Sequence, residues 1–111
     1  MATQLYYPFN YTDGYNLVAT SGSAYLEIVH IVFQCTEDAT ITFQAESTID
    51  ETVTILSGDM LFPAKTGFNL TPPVSAYSPQ VLFQLEPNEN FIMYVSSLGT
   101  VNGLIYWQIA I

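Results

Sequence analysis

Short runs of period-two alternation, separated by turn signals at fairly even spacing, leave this chain little room for anything but β structure. The clearest run is Thr40 to Gln44, where Ile41 and Phe43 point to one side and Thr40 and Thr42 to the other. Thr52 to Leu56 repeats it with Val53 and Ile55, and Ser57-Gly58-Asp59 turns the chain. Ala24 to Cys35 is the longest strand candidate. Alternation places Leu26, Ile28 and Val32 on one face and Tyr25, Val29, Ile31 and Phe33 on the other. A strand apolar on both faces belongs in the middle of a sheet, or under a second subunit. Gln4 to Phe9 reads as an aromatic edge segment, and Asp13-Gly14 and Ser21-Gly22-Ser23 punctuate the next stretch. Thr71-Pro72-Pro73 and Pro79 bound a loop unsuited to ladder pairing. Val81 to Leu85, Phe91 to Ser96 and Gly103 to Ile111 finish the chain, the second after a Pro87-Asn88 turn and the third after Asn102-Gly103, a tight-turn signal. No segment has a helical period. The expected fold is all-β: a compact antiparallel β-sandwich or jelly roll of about eight short strands, in a single domain over residues 1–111.

Charge narrows the function. Ten carboxylates face one basic side chain, Lys65, giving a net charge of -9, while half of the chain is hydrophobic and only 10% is charged. Phosphate backbones need clustered Lys and Arg, so nucleic acid is not an expected partner. Anionic membrane surfaces are disfavoured for the same reason, and no apolar run approaches the ~20 residues of a membrane span. No secretory signal is visible at Met1-Ala2-Thr3-Gln4, and the single Cys35 leaves no internal disulfide, which fits synthesis in a reducing cytoplasm. The apolar surplus, with 8 Tyr, 7 Phe and 1 Trp, implies faces covered by other chains. An oligomer or a large partner interface is the expectation.

The chemistry-bearing residues have plain readings. His30 is the lone histidine, and Glu27 lies an odd number of residues away, which splits the two across a regular strand. The same spacing argument separates His30 from Cys35, which reads as an inert buried thiol. Glu37-Asp38, Asp50-Glu51 and Glu86 with Glu89 are acids at turns without the dense ligand set of a Ca²⁺ loop. The sequons Asn10-Tyr11-Thr12 and Asn69-Leu70-Thr71 are chance matches in a Thr- and Asn-rich chain. No catalytic residue, cofactor site or metal site is expected, and the chain does not read as an enzyme. The aromatics carry more. Tyr6, Tyr7, Phe9, Tyr11 and Tyr15 crowd residues 1–15, either as an arm packed on a neighbour or as cover for an edge of the chain's own sandwich. Trp107 beside Tyr106 offers a sugar-stacking platform, unless alternation sends one of them into the core.

Val81-Leu82-Phe83-Gln84-Leu85, the Pro87-Asn88-Glu89-Asn90 turn, Phe91-Ile92-Met93-Tyr94-Val95 and Asn102-Gly103-Leu104-Ile105-Tyr106-Trp107 resemble the closing strands of small virion proteins of tailed bacteriophages. The likeness is to the compact jelly-roll or tumour-necrosis-factor-like modules that act as capsid cement or decoration proteins, and it covers the last third of the chain. It implies a homotrimer, made in the host cytoplasm and carried on the virion, which bridges major capsid protein subunits on the outer shell. No residue role is inherited from it. A phage tail, baseplate or fibre component and a carbohydrate-binding β-sandwich module are the alternatives.

Overall fold

The computed structural model describes residues 4–71 and 81–110, and these contain ten strands and no helix. They are β1 (Gln4–Tyr11), β2 (Gly14–Thr20), β3 (Tyr25–Cys35), β4 (Ala39–Ser47), β5 (Val53–Ile55), β6 (Met60–Phe62), β7 (Gly67–Leu70), β8 (Phe83–Leu85), β9 (Glu89–Ser97) and β10 (Val101–Ala110). The loop expected around Pro72, Pro73 and Pro79 lies outside the described residues.

The chain pairs with itself from its ends inward. β1 runs antiparallel to β10, β2 to β9, β3 to β8 and β7, and β4 to β5 and β6. That is one long hairpin, and it is rolled up by two further pairings, β10 with β3 and β9 with β4. The result is two antiparallel sheets, β1-β10-β3-β7/β8 (sheet A) and β2-β9-β4-β5/β6 (sheet B). Counting β5/β6 and β7/β8 as interrupted single positions gives eight places in jelly-roll order.

Alternation works where the strands are regular. Ile41, Phe43 and Ala45 of β4 and Phe91, Met93 and Val95 of β9 point inward and are fully buried or nearly so. There Phe43 stacks on Phe91 at 5.6 Å and lies 5.3 Å from Phe83, while Phe33, Phe62 and Phe68 form a second aromatic cluster. Each such buried side chain is worth about 1.5–3 kcal/mol of transfer free energy. This core between the sheets takes the place of ion pairing in a chain with one lysine.

Three local expectations are corrected. The long β3 is not a strand with two apolar faces. Tyr106 pairs with His30 and its neighbour Trp107 with Ile28, so Val29 is an extra residue in a β-bulge. The bulge shifts the phase: Leu26 and Ile28 point inward before it, Ile31, Phe33 and Cys35 after it, and Val32 faces out. Val53 and Ile55, expected to repeat the inward pattern, are exposed at 46% and 58%. They pair with Glu46 and Gln44, the outward residues of β4, and so take the outward face. Asn102-Gly103 is not a turn but lies inside β10; the chain reverses instead at residues 98–100. Gly103 is there for closeness, because a Cβ would run into the Val32 carbonyl and come 2.6 Å from the Phe33 Cα.

Candidate functional site

The outer face of sheet A is built of cross-strand rows. In one row Tyr6, Tyr106 and His30 stand opposite one another on β1, β10 and β3. The His30 ring stacks on Tyr106 at 5.5 Å with 20° between planes, and Tyr106 lies 6.2 Å from Tyr6. His30 Nε2 meets Asn69 Oδ1 at 3.0 Å, which fixes the ring's outer end. The next row is Pro8, Leu104, Val32 and Asn69, and the one beyond it Asn10, Asn102, Gln34 and Gly67. An open depression of about 280 Å³ lies over Gly103 between Val32, Gln34, Asn102 and Leu104. At the other end of the face Glu27 is held by two amides, with Gln108 Nε2 donating to one carboxylate oxygen at 2.7 Å and Gln84 Nε2 to the other at 3.4 Å. Among these outward positions Glu27 is the one carboxylate, and none is Lys or Arg.

Sheet B turns a different surface outward. Leu17, Ile92, Gln44 and Ile55 form one row, and Tyr15, Tyr94 and Thr42 the next. Ile92 is fully buried although it belongs to the outer face, where its cross-strand neighbours are Leu17 and Gln44. Burial, then the Glu46 carboxylate, pushes the Tyr15 phenol up to about 12. Thr42 Oγ1 donates to Asp59 Oδ1 at 2.6 Å.

The sequence candidates are therefore dispersed. Tyr6 stands 67% exposed on sheet A. Tyr7 turns to the other side of β1, 6.0 Å from Trp107, and Phe9 is buried. Tyr11 packs on the core, stacks on Phe9 at 5.1 Å and donates to the Leu17 carbonyl at 3.3 Å. Burial, then the neighbouring Tyr7, raises its phenol to about 12. Tyr15 belongs to β2 and hence to the opposite sheet. Residues 4–15 thus divide between an edge strand and the first turn and strand of sheet B. Trp107 is half-buried against the core, and Tyr106 is the one that faces outward.

His30 and Glu27 share the outer face because of the bulge, but each has its own partners, Asn69 for one and the two glutamines for the other. Cys35 points into the core, away from His30, and burial pushes its thiol up. Some of the turn acids are acceptors for backbone amides. Asp13 and Asp38 accept the Ser97 and Ala64 amides, and Asp50 accepts that of Thr52, a bond that holds its carboxyl below the usual carboxylate range. Among the described residues no three His, Cys, Asp or Glu side chains converge as a metal site would require. Sequence reasoning missed Tyr94, Leu17 and Ile55 as surface features. Tyr94 lies an odd number of positions from Phe91, which strict alternation puts on the opposite face; for Leu17 the bulge at Val18 hides the phase.

Compared with family models, with curated proteins and with solved structures, the chain has no match.

Proposed function

We propose that this chain is a structural protein of a virus particle, a capsid cement or decoration protein that acts as a homotrimer. One observation carries the reading: a chain of net charge -9 keeps the whole outer face of sheet A almost free of charge and sets Tyr6, Tyr106, His30, Leu104, Val32 and Pro8 along it. Copies so acidic repel one another except through a surface that carries little charge. This face is the one for self-contact. Its amides and rings give hydrogen bonds and contact area without salt bridges, as interface cores do.

The mechanism is thermodynamic. A trimer that binds only the mature arrangement of capsid subunits favours that arrangement by mass action, by about 2.7 kcal/mol per site at a hundredfold excess over Kd. Three linked contacts raise a weak single affinity by orders of magnitude. The resemblance of the last third of the chain to phage cement proteins supports this setting. The partners are the other copies and the major capsid protein.

Sedimentation equilibrium of the purified chain is expected to give a trimer, and Leu104→Lys at the centre of the sheet A face to give monomer with unchanged circular dichroism. Particles stripped of the protein should break at lower temperature. A strictly monomeric chain that never co-purifies with particles overturns the proposal, and labelling found only on tails moves it to a tail or fibre component.

A further inference from the structure

Half of the twelve large apolar residues found exposed, Tyr15, Leu17, Val53, Ile55, Leu61 and Tyr94, lie on the outward side of sheet B, each at least 46% exposed. They are joined into one surface. Leu17 and Ile55 stand at the two ends of a row whose middle is Ile92 and Gln44; Tyr15 and Tyr94 are paired in the next row on one side, with Leu61 opposite Thr40 in the row after that, and Val53 stands opposite Glu46 in the row on the other side. Ile92 is already dry beneath them. An exposed apolar patch of this kind on a small domain marks a surface that something covers.

Charge says what covers it. Carboxylates flank the patch on its β4–β6 side: Glu46 on β4 opposite Val53, Asp59 at the β5/β6 edge, and Asp50 and Glu51 in the β4–β5 turn. The chain's one Lys or Arg, Lys65, is elsewhere, in the turn between β6 and β7, where its amide bonds the Cys35 carbonyl at the end of β3. A second copy brings the same acids and no cation to meet them, so it is the wrong occupant. Asp59 spends one hydrogen bond on the neutral Thr42 hydroxyl, and a carboxylate has room for more. Charge-assisted bonds from Lys or Arg are the stronger use of what is left.

We infer that the outer face of sheet B is a docking surface for a different protein, one that presents a strip of apolar side chains flanked by Lys or Arg. The face is distinct from that assigned to self-contact, and the inference holds whatever larger assembly the chain joins. Attachment here is weakened by salt, whereas self-contact through sheet A is not.

The test uses the full chain and two short fluorescein-labelled peptides that share one Leu/Val/Thr centre, with lysines at both ends of one and glutamates at both ends of the other. Fluorescence anisotropy is expected to show the lysine-flanked peptide binding at least about tenfold tighter, with the difference shrinking at high salt. Leu17→Asp, and independently Ile55→Ser, should lose at least about tenfold in affinity, since each removes an end of the apolar row. Leu17→Asp also adds negative charge, so simple attraction of lysine to an acidic protein predicts the opposite change. Glu46→Gln should remove part of the salt dependence, and Tyr6→Ser on sheet A should change nothing. Equal binding of the two peptides, or lysine-peptide binding that survives Leu17→Asp and Ile55→Ser, overturns the inference. Dissociation of the chain's own oligomer by Leu17→Asp also overturns it, by making this face a self-contact. Failure to trimerise bears on the proposed function alone.

Discussion

Glu27 and His30 stand on the same outer face of sheet A although an odd number of positions separates them, because Val29 between them has no partner on β10. The extra residue keeps Leu26 and Ile28 in the core together with Ile31, Phe33 and Cys35. Deleting Val29 restores strict alternation and turns one of these sets to solvent. At about 1.5–3 kcal/mol for each side chain, that loss matches the 5–15 kcal/mol of a whole domain. The deletion should abolish the cooperative unfolding transition, while Val29→Ala, which keeps the count, should cost about 1 kcal/mol. Urea denaturation followed by circular dichroism separates the two.

Gly103 tests the close approach of β10 and β3. Gly103→Ala drives a methyl group into the backbone of Val32 and Phe33, which cannot yield without moving a central strand. A cost of about 2–3 kcal/mol is expected. Gly99→Ala drives a methyl group into the Thr36 hydroxyl, which the Thr100 amide holds at 2.7 Å, and brings it 3.1 Å from the Glu37 Cβ, so a cost of about 1–3 kcal/mol is expected there too. Urea midpoints at unchanged m-value are the measure.

Ser21 is the one buried polar side chain found among the described residues. Its hydroxyl donates to the Glu86 carbonyl at 2.7 Å and accepts the Glu89 amide at 2.9 Å, tying the β2–β3 turn to the β8–β9 turn. Ser21→Ala leaves both groups short of a partner and should cost about 1–3 kcal/mol. Hydrogen exchange at the Glu89 amide should accelerate in parallel.

Alkali should unfold the protein through Tyr11 and Tyr15. Both phenols are raised to about 12 in the folded chain, from an ordinary value of 10.0. Between those values the unfolded chain gives up protons that the folded chain keeps, so stability falls as pH rises. The contribution is complete below pH 10 and gone above pH 12. The late part of the tyrosinate absorbance titration should shrink in the Tyr11→Phe, Tyr15→Phe double variant, which should also lose part of the slope of stability against pH in that window.

Strand positions were legible wherever pairing is regular, because Ile41, Phe43 and their neighbours need only a count of two. The phase was lost at Val29 and Val18, where the partner strand decides how many residues fit opposite it, and no local signal records that. Gly103 misled for a related reason: a glycine demanded by a neighbouring backbone reads, in one dimension, like a glycine demanded by a turn. Composition announced that uncharged surfaces matter in this chain. It gave no address for them, since Tyr6 and Tyr15, nine residues apart, end on opposite sides of the molecule.

Among the described residues none of the four sheet edges offers an uninterrupted strand. β1 carries Pro8, which has no N–H to give; β2 bulges at Val18; β5 and β6 are parted at residues 56–59, where the Ser57 hydroxyl accepts the Phe43 amide; and β7 and β8 pair with separate stretches of β3. A fibril grows when an edge templates the next chain, and each of these interruptions denies it a template. Association then falls to the sheet faces, whose contacts end at a fixed number of copies only where their symmetry closes. In a chain so apolar and so poor in cations, these interruptions guard against strand-edge polymerisation where charge repulsion between neighbouring strands cannot.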